Sequence, residues 1–325
     1  MAAMTVFCHI RTRLTIEGAV SSNRGHITEG AAMTTDPGLS AVFSERRQLI
    51  NLAYRLLGTL ADAEDVVQET YARWYSLSRA QQEAIASPGA WLTTVASRIC
   101  LDLLGSARAR RERYVGEWIP EPLPDRGSAA DPAERVTLDE SVSMAFLVVL
   151  DAMTPAERVA FVLHDVFGYP FAEVAEIVGR TPAACRQPAT SARRRVRDAR
   201  VPATSAEQRA EVVRNFKRAW ENRDIRALVG LLDPGATVVA DGGGLVSAAP
   251  HPIEGAAEIA RYLAALVERA PALGLLEHPV NGQPGLVVRH ADRTEAVLAF
   301  EVDGDRVSRI WAVRNPEKLR PWTDS

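Results

Sequence analysis

Cysteine is scarce: Cys8, Cys100 and Cys185 lie far apart and are odd in number. With no Cys-x-x-Cys and no Cys/His ligand spacing, neither a disulfide framework nor a metal site is expected. No apolar run approaches the roughly 18 residues of a membrane helix. The early stretch "MTVFCHIRTRLTIEGAV" is broken by His9, Arg11 and Arg13, so it does not read as a signal peptide. The expectation is a cytoplasmic protein with no membrane contact. Charge of one sign is also missing. The 38 basic and 41 acidic residues leave a formal net charge of -3, so any nucleic-acid binding must come from local patches. Lysine is nearly absent: apart from Lys217 and Lys318 every basic residue is arginine, as a GC-rich genome would give.

What is present divides the 325 residues into blocks, each long enough to bury a core. Residues 1–38 lack periodicity and are expected to form a disordered or extended tail, with Met33 an alternative start. Residues 39–114 read as helices. In "ADAEDVVQETYARWY" the residues Ala63, Val66, Val67, Thr70, Tyr71 and Trp74 recur close to helical period, which leaves Asp62, Asp65 and Glu69 sharing another face. "SPGAWLTTVASRICLDLL" opens with Ser87 and Pro88 as N-cap and first helical residue. Its stripe is Leu92, Val95, Ala96, Ile99 and Leu103; Thr94, Ser97 and Arg98 fall off it, with Trp91 a further candidate.

A linker over 115–132 follows. Pro120, Pro122 and Pro124 favour an extended polyproline path, and Trp118 and Ile119 suggest that it docks. Residues 133–202 carry a capping box, Thr154 with Glu157, and a helix expected to end at Gly168. A second short helix ends at Gly179, and a third begins at Pro182, the helix-turn-helix pattern. Residues 206–319 give two helices, the strand "ATVVAD", the run "DGGG", a helix over about 256–269 and four strand-like stretches. That order predicts an α+β domain with a curved sheet.

In a helix-turn-helix the second helix enters the major groove. Arg186 and Gln187 stand on its first turns, suited to guanine and adenine. Arg193, Arg194, Arg195, Arg197 and Arg200 follow, suited to phosphates. Pro188, inside this helix, removes a hydrogen bond and costs about 3 kcal/mol in a regular interior. A bent helix and weakened upstream-element binding are expected, with Pro188→Leu as the comparison variant. By pattern alone the acidic face at Asp62 is a solvated helix face, and the basic helix could belong to an ordinary bundle.

The ordered set "DAEDVVQETYARWY", "SPGAWLTTVASRICLDLL" and "FVLHDVFGYPFAEVAEIVGRTPAACRQ" resembles the two conserved domains of an extracytoplasmic-function RNA polymerase sigma factor. "EWIPEPLP", "DGGG" and "NPEKL" are similar to motifs of the subgroup with a fused C-terminal domain like SnoaL and nuclear transport factor 2. The resemblance implies two all-α sigma domains, the second with the helix-turn-helix, and an NTF2-like α+β cone. It implies that Asp62, Asp65, Gln68 and Glu69 dock on the β′ clamp helices of core RNA polymerase, with the β flap a further contact. It gives Thr94, Ser97, Arg98 and Arg108 to the minus-ten element, and Arg186, Gln187, Arg193 and Arg194 to the minus-thirty-five element of promoter DNA. It implies that the third domain regulates in cis through Trp118, Pro120, Asp241, Gly242, Gly243, Asn315 and Pro316.

Two other readings stay open at this point. One is a one-component regulator sensing a small ligand in the C-terminal pocket. The other is an enzyme of the SnoaL or epoxide-hydrolase type, for which Asp241, His251 and His290 are the acid/base candidates. The sequence shows no convincing catalytic set, and no enzyme activity, cofactor or metal is expected.

Overall fold

The structure is a computed structural model that describes residues 37–111, 114–124, 142–198, 204–270, 272–291 and 293–323. The expected tail up to Asp36, with Met33, lies outside the described residues, as do the end of the linker and Arg200. The first helix, α1, spans Pro37–Leu57. Gly58, at φ +81°, turns the chain into α2, Leu60–Ser76. Thr59 caps α2: its hydroxyl accepts from the Asp62 amide and donates to the Asp62 carboxylate at 2.6 Å. A short α3, Arg79–Glu83, is closed by a Ser78–Gln81 capping box. The long α4, Pro88–Arg111, completes this domain. Its core is apolar: Leu52, Ala53 and Leu56 meet Val66, Val67, Leu92, Ala96 and Cys100.

The second domain contains α5, Met144–Asp151, and α6, Pro155–Phe161, whose Thr154–Glu157 capping box forms as the sequence predicts. The helix does not run regularly to Gly168. It widens into a π turn over Val162–Val166, where His164 stacks on Phe171 at 3.8 Å and its Nδ1 meets the Tyr169 carbonyl at 2.7 Å. The next helix, α7, Phe171–Val178, ends on Gly179 in the left-handed conformation. The expected recognition helix is α8, Pro182–Asp198. It remains helical through Pro188, and Thr190 Oγ1 donates to the Arg186 carbonyl at 2.9 Å beside it.

The carboxy-terminal domain starts with α9, Ala206–Glu221, and α10, Ile225–Leu231. Strand β1, Leu232–Asp241, begins four residues before the expected "ATVVAD". Then come β2, Ile253–Glu254, α11, Ala256–Arg269, and the meander β3, Leu273–Val280, β4, Gln283–His290, β5, Arg293–Asp303, and β6, Arg306–Val313. The sheet order is β2-β1-β6-β5-β4-β3, with β1 and β6 parallel and the other pairs antiparallel.

Both faces of this sheet are buried. Ala296, Leu298 and Phe300 of β5 pack with Phe216, Trp220 and Ile259 from the domain's own helices. Val297 and Ala299 point the other way, onto a second cluster. That cluster contains Ile119 of the linker, Met144 of α5, and Leu319 and Trp322 of the tail. Period-two alternation puts successive side chains on opposite faces. Two buried faces then explain why "AVLAF" is apolar without interruption.

Candidate linker clamp and nucleic-acid interface

The acidic face of α2 is open. Asp65, Gln68 and Glu69 are exposed, and Glu69 pairs with Arg73 at 2.9 Å. Asp62 differs from them: it is half-buried and engaged by Thr59 at the helix start. Three of the four expected docking residues therefore stand free of the core on one surface.

The expected promoter-reading residues are less uniform. Thr94 is half-buried, with its hydroxyl on the Ala90 carbonyl at 2.8 Å. Ser97, expected off the buried stripe, is fully buried. The reason is tertiary: α4 packs against α1 and α2 of its own domain and against α6 and α7 of the second. Arg98 is exposed, and its guanidinium donates to the Glu176 carbonyl of α7 at 3.1 Å. The Arg108 side chain lies outside those described.

On α8, Arg186 and Gln187 are exposed, and the Arg186 guanidinium sits 5.7 Å from the Phe171 ring centroid. Arg194 is exposed. Arg193, expected on phosphate, is paired with Asp165. Arg195 donates to the Ala152 carbonyl at 2.8 Å. These arginines brace α8 on its own domain, a role that spacing could not reveal. Between the two helical domains, the buried Arg158 donates to the Leu56 carbonyl at the end of α1 at 2.7 Å and pairs with Asp151 at 2.9 Å.

The linker is bonded along the length of Ile119 to Pro124. Its prolines carry no N–H, so Ile119, Glu121 and Leu123 supply the three amides between Ile119 and Pro124. Each finds an acceptor. Ile119 N–H donates to Asp241 Oδ2 at 3.0 Å, Glu121 N–H to the Gly58 carbonyl at 2.8 Å, and Leu123 N–H to Asn281 Oδ1 at 3.1 Å. The carbonyls are held as well. Ile119 accepts from Lys318 Nζ at 2.5 Å, Glu121 from Tyr54 OH at 2.7 Å, Pro122 from Trp322 Nε1 at 2.8 Å and Leu123 from Asn281 N–H at 2.9 Å. Pro124 then bridges Val280 at the edge of β3.

Asp241 is the centre of the grip. It is fully buried, and its carboxylate accepts from Tyr114 OH at 2.6 Å, Gly243 N–H and Ile119 N–H, each at 3.0 Å, and Lys318 Nζ at 2.7 Å. The Lys318 ammonium also lies 4.3 Å from the Trp118 ring centroid and 5.2 Å from that of Tyr114, within cation–π range. Asn315 Nδ2 donates to Tyr114 OH at 2.9 Å. A side chain at Gly243 would strike Asn315, and one at Gly242 the Val246 carbonyl. A Cβ at Gly58 would lie 2.7 Å from Trp118. Of the residues singled out for a regulatory contact, Trp118, Pro120, Asp241, Gly242, Gly243 and Asn315 come together here. Pro316 is exposed, and Lys318 and Leu319 make the contact from its segment.

Burial, with the Asp241 carboxylate alongside, raises the Tyr114 hydroxyl above its ordinary pKa. Burial also raises Tyr54, whose hydroxyl accepts from Asn281 Nδ2 at 2.8 Å. Glu121, 5% exposed, accepts from Leu60 N–H at 2.8 Å and is raised to about 7, chiefly by burial. Asp241 is spent on the linker, and His251 and His290 are exposed, so the three acid/base candidates do not converge on a pocket. Among the described residues no cluster suits a metal ion, and no helix is long and apolar enough to cross a membrane.

Tyr54, Tyr114, Glu121, Asn281 and Trp322 were not singled out by sequence. Lys318 had two signals, the rarity of lysine and its place inside "NPEKL". Asn281 hides inside an ordinary Asn-Gly turn.

The helical domains correspond to two regions of the sigma-70 type: residues 42–110 match Sigma-70 region 2, and residues 143–196 match Sigma-70, region 4. The ECF RNA polymerase sigma factor SigJ of Mycobacterium tuberculosis is 40% identical over 287 residues, covering 84% of this chain and 90% of the relative. The probable ECF RNA polymerase sigma factor SigI of the same species is 36% identical over 290 residues, covering 88% of this chain and 96% of the relative. The crystal structure of SigJ superposes with a TM-score of 0.71 at 38% identity, covering 87% of this chain and 98% of that one. The chain belongs to the extracytoplasmic-function RNA polymerase sigma factors. Its function is promoter-specific initiation of transcription through RNA polymerase.

Proposed function

We propose that the carboxy-terminal domain restrains this sigma factor in cis by holding the linker between its two sigma domains. The observation that carries the reading is the two-sided grip on Ile119–Pro124: Gly58, Leu60 and Tyr54 bind it from the first domain, and Asp241, Asn281, Lys318 and Trp322 from the third. A linker held this way fixes how far apart the two DNA-reading domains can stand. In the same reading Asp65, Gln68 and Glu69, with Asp62 at the helix start, meet the β′ clamp helices, and the second domain meets the β flap. Arg98 and Arg108 follow the melted minus-ten strand, with Thr94 and Ser97 reached once the domains separate. Arg186, Gln187 and Arg194 face the minus-thirty-five duplex, and Arg193 joins them by leaving Asp165.

The third domain acts in this reading as a regulator without turnover. Phe216, Trp220 and Ile259 occupy the inner side of its sheet, and we assign no ligand to it. The test is run-off transcription with core polymerase, comparing the full chain, a chain stopped near Thr204, and full-length Asn281→Ala. Release of the linker is expected to raise promoter-specific transcript several-fold in both altered chains. Equal yield and equal promoter-spacing preference in all three would overturn restraint. No transcript from any of them, with duplex binding retained, would favour a one-component regulator.

A further inference from the structure

Glu121 is the side chain that ties the linker to the start of the polymerase-docking helix. Its carboxylate is buried, and it takes the Leu60 N–H, one of the α2 amides left without an intrahelical acceptor. It comes from 61 positions along the chain, so the cap forms only while the linker is docked. Around it stand Tyr54 on α1, Asp62 and Glu64 on α2, and Lys318 from the tail, with Asn281 and Arg55 joining through Tyr54. Burial opposes the charged form most, joined by Asp62 and Glu64, whereas the Leu60 N–H and then Lys318 favour it. Lys318 is also bonded to Asp241 and the Ile119 carbonyl.

We propose that Glu121 is a proton-sensitive latch, so that the clamp closes more tightly in its acid form and loosens as Glu121 becomes charged. In the docked linker a charged carboxylate gives up water and faces two acidic side chains. In a released linker it regains water. The neutral acid keeps an oxygen that accepts from Leu60 N–H and avoids most of that cost. Its pKa is about 7 when docked against an ordinary 4.5. A raised value means that the closed form binds more protons, so closure is strongest below about 4.5 and weakens as pH rises through about 7. Those two values give about a tenfold rise in the open-to-closed ratio between pH 6 and pH 8.

The consequence for transcription rests on the cis-restraint reading, but the latch can be measured without polymerase. Hydrogen exchange by mass spectrometry on the full chain, corrected for intrinsic rates, would follow the Ile119, Glu121 and Leu123 amides. Protection in the native protein is expected to fall about tenfold from pH 6 to pH 8. Glu121→Gln keeps an acceptor for Leu60 and carries no charge. It should show pH-independent protection, at least as strong as the native level at pH 6. A flat native profile, or a Gln variant that keeps the slope, would overturn the latch while leaving the clamp. Linker amides unprotected at every pH would overturn both.

Discussion

The two faces of the carboxy-terminal sheet are buried by different kinds of neighbour. The inner face meets α9, α10 and α11 through apolar side chains such as Phe216, Trp220, Leu228 and Ile259. These come from the same stretch of chain, so that contact makes the domain fold. The outer face meets the linker, α5 of the second sigma domain and the tail. There the apolar patch is ringed by buried polar groups: Asp241, Lys318, Asn281, Asn315 and Glu121. Apolar burial is non-directional, whereas a satisfied polar network accepts one geometry. The inner face can therefore tolerate repacking, but the outer face specifies which segment docks and in what register.

The largest expected break of this contrast is Asp241→Ala. It strands the Lys318 ammonium in a site where the pair is 7% and 0% exposed, and removing one partner of a buried pair costs about 3–5 kcal/mol. Urea unfolding should show the loss, and linker amides should lose protection first. Adding Lys318→Met should recover part of the stability, because no buried charge is then left alone.

Next is a matched pair. Trp322→Ala on the outer face and Phe216→Ala on the inner face should each cost about 3 kcal/mol or somewhat more. Trp322→Ala should free the linker with β4 and β5 still protected from exchange. Phe216→Ala should deprotect those strands themselves. Equal patterns would mean that the two faces form one cooperative unit.

The smallest effect is Gly58→Ala, where φ is +81° and Trp118 is in the way. Strain of about 1–3 kcal/mol is expected, read as a lower melting temperature with weaker linker protection.

Much of the fold was legible because it is local. The Thr154–Glu157 box, the Gly179 stop and the α2 stripe each depend on neighbours within a turn or two. Motif resemblance led to Asp241, the glycines and Asn315. The rest depended on distant packing. Ser97 looked free on a helical wheel, but α4 has neighbours from two domains. The apolar continuity of β5 hinted at two covered faces, without saying that the second cover is a linker and a tail. Trp322, beyond the expected domain end at Leu319, lies where a sequence reading stops. Arg193 and Arg195 look like phosphate ligands from composition, because their acceptors, Asp165 and the Ala152 carbonyl, are 28 and 43 positions away.

Position 318 is also where the drift of this chain toward arginine meets a limit of shape. Lys217 sits in a surface pair with Glu221, where arginine would serve as well. Lys318 places a single compact nitrogen against a carboxylate, a carbonyl and two rings. A flat guanidinium spreads its donors across a wider plane and could not meet all of them from the same stem. Lys318→Arg would therefore be conservative by charge and disruptive by geometry.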